Sequence, residues 1–512
     1  MVSSWLISLF LTVFSPLSIY SHAPVANHLF VAPFGSNDQL CSRPEAPCQT
    51  VERAVEVAAP GDTIYVASGI YTGSETAVVR IEKSITLSGG WNEAFTTQDG
   101  ATILDGKNER RVVFIGDADV TMDRFIIQHG RANSAELYAP SEFGSGILIV
   151  GRLTLTNSAV VHNIAGLDNH SGGHGGGGIL IYNVFEGRPA ELHLTNSTVS
   201  GNRVLGSFLG GGIYNIGKLY LNNSTIVNNS ASLASGVYQS GEMYFRNSIL
   251  ADNSEGNCYE ETLSKTDDLG YNIVEMWGCV SNSTSKYIDP MLDVLNDNGG
   301  STLTHALLPG SPALDAGNPA GCLSESGVLS TDQRGFKRNS RCDVGAFEQE
   351  DFWFTLSAPK TSDIVSPVPF TIELNNRHAE AISDALVAIT LPVATRLVTD
   401  SLIAPVGTIL DEANGVIQWR GDLAGNDAVS IRVVVETETT QQHLHNRLEC
   451  TVVPLVSLFD LSQHRSRRKL VLFRLRVGQN AEPVDDHHRV SIRSERSDQA
   501  ILLWFAVFSG RA

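Results

Sequence analysis

The sequence predicts an all-β protein, a right-handed parallel β-helix followed by a β-sandwich, on three observations. First, four segments align without gaps: "LTLTNSAVVHN" from Leu153, "LHLTNSTVSGN" from Leu192, "LYLNNSTIVNN" from Leu219 and "MYFRNSILADN" from Met243, at offsets of about 39, 27 and 24 residues. A repeat of that size means stacked supersecondary units. Second, the period inside each unit is two, with Leu219 and Leu221 flanking Tyr220, so the units are built from strands. Third, beyond residue 350 the repeat gives way to longer alternating runs separated by turns, such as "GVIQWRGDLAGNDAVSIRVVVETE".

One coil of about 24 residues holds roughly three short strands and their turns, and stacking such coils makes one continuous core. A glycine pair or its equivalent precedes each segment, at Ser145, Gly177, Gly211 and Ser235. Glycine is expected where the wall bends with positive φ or packs too tightly for a Cβ. Asn157, Asn196, Asn223 and Asn247 occupy one place in successive coils, and Asn163, Asn202, Asn229 and Asn253 another. Stacked amides can bond to those above and below, and Asn tolerates a left-handed turn. The competing reading is glycosylation, because Asn196, Asn223 and Asn282 stand in "NST". A ladder explains the register and glycosylation does not.

The composition agrees. At 512 residues the chain is long for one ordinary core, its charged fraction is 18%, and Asn, Ser and Thr crowd residues 150–260. A net charge of -19 excludes nucleic acid as a partner, and an acidic polysaccharide unless a cation bridges the two. Residues 1–23 read as a signal peptide, with an apolar run from Trp5, Pro16 within it and small residues at Ser21 and Ala23, although no basic residue precedes the run. The seven cysteines suit export, and three local pairs are candidates for disulfides: Cys41 with Cys48, Cys258 with Cys279, and Cys322 with Cys342. No pair has zinc-ligand spacing.

Several stretches resemble known families. "CSRPEAPCQTVERAVEVAAPGDTIYVASGIYTG" is similar to the opening of secreted β-helix proteins of the pectate-lyase-like class. The resemblance implies a short helix, about 51–58, capping the first coil, and a strand pair over 61–71. The Gly-Gly-Ile and Asn repeats resemble those of polymorphic outer-membrane proteins, although no membrane barrel follows. "DLGYNIV", "DPMLDVLNDNGGSTLTHALLPGSPALDAGN" and "TDQRGFKRNSRCDVGAFE" resemble the choice-of-anchor Q domain of bacterial surface proteins, over 247–350 within a β-helix of 24–350. Asp332, Arg334, His305 and Asp315 are expected to pair the polar groups of its buried loops, which weighs against a catalytic reading of Asp332, Arg334 and Asp343. Residues 351–440 resemble the Ig-like repeats of bacterial surface proteins, with Trp419 in their core.

From 441 to 512 the composition breaks. About 11 of the 36 Lys and Arg and 5 of the 14 His lie there, with the odd cysteine, Cys450. "HRSRRKLVLFRLRVG" offers no evident strand partner. The segment reads as an anomalous basic tail, out of frame or disordered, and "ILLWFAVF" is too short to span a bilayer.

Two clusters are candidates for chemistry. "GDADVTMDR" holds Asp117, Asp119 and Asp123, a set that could take calcium, and Arg124, the type of base a calcium-dependent lyase uses. Strand alternation would put Asp119 and Asp123 on one side and Arg124 on the other. "DNHSGGHGGGG" holds Asp168, His170 and His174, and its "GHG" echoes polygalacturonase-like hydrolases without their paired aspartates. The sequence therefore favours a secreted or surface-displayed monomeric noncatalytic scaffold of adhesin type that contacts carbohydrate or host or matrix surfaces, needing no cofactor unless calcium. The alternative is a polysaccharide lyase, hydrolase or epimerase working in a groove of the β-helix.

Overall fold

The structure is a computed structural model. It describes residues 27–349 apart from 133–142, 167–174 and a few one- or two-residue positions, together with the strands of the C-terminal region. Three parallel sheets of nine, seven and nine strands run along one axis. The first wall runs from His28–Val31 to Lys265–Asp268, the second from Ala77–Ile81 to Cys258–Glu260, and the third from Gly69–Tyr71 to Lys286–Tyr287. One coil shows the rule: Ile213–Asn215 in the second wall, Lys218–Asn222 in the first and Thr225–Val227 in the third, with two-residue turns between. The arrangement is a parallel β-helix.

Like positions lie over each other, so each inward position of the repeat becomes a column. Leu153, Leu192, Leu219 and Met243 form one, and Leu155, Leu194, Leu221 and Phe245 another. All eight are fully buried, and each such side chain contributes about 1.5–3 kcal/mol of apolar burial.

The two asparagine columns divide the roles that the sequence assigned to both. Asn157, Asn196, Asn223 and Asn247 are stacked at the turn from first to third wall, with φ between 47° and 50°. Their amides do not bond one another: Asn157 donates to Asp123, Asn196 to the Thr331 carbonyl and Asn223 to the Leu323 carbonyl. The second column is the amide ladder. Nδ2 of Asn163, Asn202 and Asn229 donates to Oδ1 of the asparagine in the next coil at 2.9, 3.0 and 2.9 Å, and Asn253 continues to Asn257 at 2.8 Å. The ladder explains the second glycine of each pair. A Cβ at Gly212 would lie 2.7 Å from the Gly236 carbonyl oxygen and 3.0 Å from the Asn229 amide nitrogen. Gly146, Gly178 and Gly236 meet the same obstruction from Asn163, Asn202 and Asn253.

Helix α1, Val51–Val57, packs at the N-terminal end against the first strands of the first and second walls. Thr50 accepts from the Arg53 N–H at its start, and Lys83 Nζ donates to the carbonyls of Val55, Glu56 and Ala58 at its end. Disulfides join Cys41 to Cys48, Cys258 to Cys279 and Cys322 to Cys342.

Two of the three walls are covered on the outside as well. Residues 288–349 fold back as a strap over the third wall. Ala306, Leu307, Ala313, Val344 and Phe347 pack on the outward side chains of Val227, Ile249, Ala251 and Ile273. Polar contacts fix the strap: Thr198 Oγ1 donates to Gln333, Arg338 donates to Asn196, and Ala346 N–H donates to Thr225. Within it, the buried pairs Asp332–Arg334 at 2.8 Å and Arg338–Glu348 at 3.0 Å are closed by backbone bonds. Asp343 accepts from the N–H groups of Asp315 and Gln349. Asp332, Arg334 and Asp343 are therefore occupied in holding the strap, and Arg338 and Glu348 do the same work unheralded by the sequence reading.

Loops cover the second wall. Phe143, Ala165, Val204, Ala231 and Ala234 pack on its outward Leu148, Leu180, Tyr214 and Tyr238. Fully buried Arg111 donates to the carbonyls of Phe143 and Gly144 and fixes one of these loops. Burial and neighbouring Arg80 push this guanidinium down to about 9, so it stays charged at neutral pH.

The C-terminal strands form two five-stranded sheets. Trp419 is buried there, as are Phe370, Ile372, Leu374, Ile417 and Ile431. Leu470–Gly478 corrects the expectation that "HRSRRKLVLFRLRVG" lacks a strand partner: it pairs with Ile382–Thr390 and with Glu449–Leu455. The alternation of Phe473, Leu475 and Val477 with Arg474 and Arg476 is a strand period that its basic composition obscured.

Asn229→Ala should lower stability by about 2–4 kcal/mol, because it strips bonds from the buried backbone and amide of Asn202. Asn228→Gly, at an exposed left-handed position with φ 57°, should change it by less than about 0.5 kcal/mol. Urea unfolding compares the two.

The strap also makes stability depend on pH. His305 Nδ1 lies 2.7 Å from the Asp293 carbonyl and Nε2 2.9 Å from Ser200 Oγ, contacts that a neutral ring satisfies by donating from Nδ1 and accepting at Nε2. Burial lowers its pKa below 6.5, opposed by the Asp293 carbonyl and assisted by His162. A depressed folded pKa means that this stability is complete above the unfolded value and is lost as pH falls through the folded one. The thermal midpoint should drop as pH falls below about 6.5, and His305→Gln should reduce that slope, to which His162, itself lowered by burial and by His129, contributes in the same direction.

Candidate functional site

The first wall is the one whose outward side chains remain partly exposed along most of its length, as in the alternation of Asp119–Asp123, Arg152–Thr156, Glu191–Thr195 and Glu242–Arg246. Register sorts these side chains into rows running along the axis.

The first row reads Asp119, Arg152, Glu191, Lys218, Glu242, Lys265, with charge alternating at every coil. Arg152 Nε lies 2.7 Å from Glu191 and its Nη1 3.9 Å from Asp119, and Lys218 lies 3.6 Å from Glu242. Burial alone would raise the Glu191 carboxyl, but bonds from Arg152 and His193 outweigh it and hold the group below its ordinary range. The bond to Glu191 raises Arg152 in turn. Both are fixed charges at neutral pH.

The middle row reads Thr121, Thr154, His193, Tyr220, Tyr244. His193 and Tyr220 stack at 4.3 Å and Tyr220 and Tyr244 at 4.9 Å, each pair within 9° of parallel, and Lys265 Nζ sits 4.8 Å from the Tyr244 ring centre. This column is legible in the aligned segments as the second residue of "LHL", "LYL" and "MYF", but the face-to-face stacking of its rings follows only from the coil-to-coil register.

At the N-terminal end the same wall carries a second aromatic group. Phe30 lies 5.5 Å from Tyr65 and edge-on to Phe95 at 5.0 Å, and Tyr65 meets Trp91 edge-on at 5.2 Å. Exposed His28 lies 5.3 Å from Tyr65. Trp91 Nε1 donates to Ser88, which also accepts from Gln98.

The acidic candidates fall on this wall but do not converge. Asp117 and Asp119 are each bonded by Arg188 at 2.7 Å. Asp119 and Asp123 are four residues apart on one strand, about 13 Å, whereas ligands of one calcium ion lie about 2.3–2.6 Å from it. Asp123 is saturated: Oδ1 accepts from Thr156 and Asn157, and Oδ2 from Arg124 and Gln98. Arg124 is not on the opposite side. It sits at the turn with φ 60°, where strand alternation no longer applies, and its guanidinium returns to Asp123 and Gln98. Asp168, His170 and His174 lie outside the described residues. Among the described residues no three His, Cys, Asp or Glu side chains come together as a metal site, and no helix is long and apolar enough to cross a membrane.

No family model matches the chain, and no curated protein matches it. Among solved structures it is similar to pectate lyase Pel9A, at 16% identity over 63% of this chain and 96% of that one, with a TM-score of 0.30. It is similar to the pectin methylesterase from Aspergillus niger, at 15% identity over 54% and 94% of the two chains, with a TM-score of 0.27. It is also similar to the Dettilon tailspike protein, at 11% identity over 80% and 86%, with a TM-score of 0.18.

Proposed function

We propose that this chain is a noncatalytic β-helix scaffold of adhesin type, secreted or displayed at a cell surface, that contacts carbohydrate along its first wall. In this reading residues 247–350 close the β-helix in the manner of a choice-of-anchor Q domain and 351–440 serve as an Ig-like spacer. The observation that carries the reading is the state of the ionisable groups on the uncovered wall. Arg152 pairs across coils with Asp119 and Glu191, and Lys218 with Glu242, while Lys265 pairs with Asp267 on its own strand, and the shifts of Glu191 and Arg152 move both away from neutrality. A general acid or base needs a pKa near the working pH. A long wall of fixed charges, hydroxyls and rings instead suits an extended, hydroxyl-rich polymer lying across many coils.

Incubation of the full chain with neutral and acidic polysaccharides, with and without calcium, should show retention on a glycan without release of unsaturated or newly reducing ends. Appearance of unsaturated products would make it a lyase instead.

A further inference from the structure

We infer that the N-terminal end of the first wall is a docking platform for an uncharged glycan, whose pyranose rings stack on the cluster of Phe30, Tyr65, Trp91 and Phe95. The inference rests on the carbohydrate-contacting reading above and names both the subsite and the ligand class.

The loop that carries Phe95 is built to present it. Phe95 has φ 54°, a left-handed backbone that bulky residues rarely adopt. A set of short-range bonds holds it there. The Phe95 N–H donates to the Asn92 carbonyl, Asn92 Oδ1 accepts from the Thr96 N–H, and Asn92 Nδ2 donates to the hydroxyls of Thr96 and Thr97. The product of that strained turn is a half-exposed ring placed edge-on to half-exposed Phe30. Strain retained at a surface turn points to a role for the side chain it places.

The two aromatic groups of the wall differ in what they offer. In the His193–Tyr220–Tyr244 column the rings lie parallel, one coil apart, so they cover one another's faces. In the N-terminal cluster Phe30 and Tyr65 lie 28° from parallel, whereas Phe95 and Trp91 meet them edge-on at 72° and 85°, and all four rings, like those of the column, keep part of their surface in solvent. Aromatic faces attract the C–H bonds that line one side of a pyranose ring, and neighbouring polar groups can meet its hydroxyls. Beside Trp91, Ser88, Gln98 and the Asp123–Arg124 pair are bonded to one another, and that network holds the indole in place.

Charge selects among glycans. The cluster's four rings are uncharged, and the row beside the wall's middle alternates acid and base from Asp119 to Lys265. The wall thus has no excess of positive charge in a chain of net charge -19. A polyanion would find repulsion at long range and no compensating patch, whereas a neutral polymer is matched.

The test is binding of the full chain to immobilised neutral oligosaccharides, built from glucose, mannose, xylose or N-acetylglucosamine, and to polygalacturonate. The expected result is retention by a neutral ligand, weakened about tenfold or more in Trp91→Ala and in Phe95→Gly. Phe95→Gly relieves the left-handed strain while deleting the ring, so its thermal midpoint should not fall, which separates lost contact from lost folding. Binding to polygalacturonate alone, or neutral binding unchanged in both variants, would overturn the inference and leave the carbohydrate reading standing. Failure to bind any glycan would remove both. Self-association abolished by the same two variants would show the cluster to be a contact between copies of the chain, and would also overturn it.

Discussion

The β-helix depends on keeping successive coils in register, and the buried amide ladder from Asn163 to Asn257 is the interaction that holds them there. Each rung uses an Oδ1 that accepts from both the backbone N–H and the side-chain amide of the preceding asparagine, at 2.8–3.1 Å, three of them between coils and the last, Asn253 to Asn257, closing the ladder within one turn. A slip by one residue would turn every inward leucine outward and bury unpartnered amides at once. The same ladder dictates the glycines, since the amide column occupies the space a Cβ at Gly178 or Gly212 would need. Hydrophobic columns then fill the interior, but they have no directional preference of their own. Register is set by polar groups and stabilised by apolar ones.

With register fixed, the three walls part company. The second and third are covered on both sides along their middle coils, by loops and by the strap, and their central strands are buried. The strap's cover is achieved with buried ion pairs, whose desolvation is offset by many hydrogen bonds per group: Arg334 reaches Asp332, the Asn298 carbonyl and the Glu348 carbonyl, and stacks on Phe347 at 3.7 Å. Such pairs fix the geometry of a turn-rich segment that has little regular secondary structure. The first wall is left to face solvent, which is why its rows of charges and rings bear on function while the strap's equally conspicuous charges do not.

Electrostatics on that open wall is organised for constancy. Alternating charges one coil apart stabilise one another in the ionised state, and the resolved shifts of Glu191 and Arg152 both widen the range over which they stay charged. The strap behaves in the opposite way, because neutral His305 lies at its contact with the third wall and couples that cover to protons.

The sequence by itself determined the solenoid. Period two, the offsets near 24 residues and the recurrent Gly and Asn place strands, turns and columns, because in a stacked coil each contact is made with the same position of the next repeat. It also placed Trp419 in a buried strand and gave the three cysteine pairs. The tertiary structure alone decided which asparagine column bonds to itself. Both columns have the same spacing, and only the one whose amides point between coils, beside the glycines, can form a ladder; the other sits at left-handed turns and serves the strap. It also decided which walls are covered, since the strap's contacts join residues such as Asn196 and Arg338 that are far apart in the chain. Arg124 shows the same limit at short range: one positive φ at a turn returned its guanidinium to the face that strand alternation denied it. Local periodicity is written in the sequence, whereas the partner of a turn or a non-repeating segment is set by whichever surface the fold brings to it.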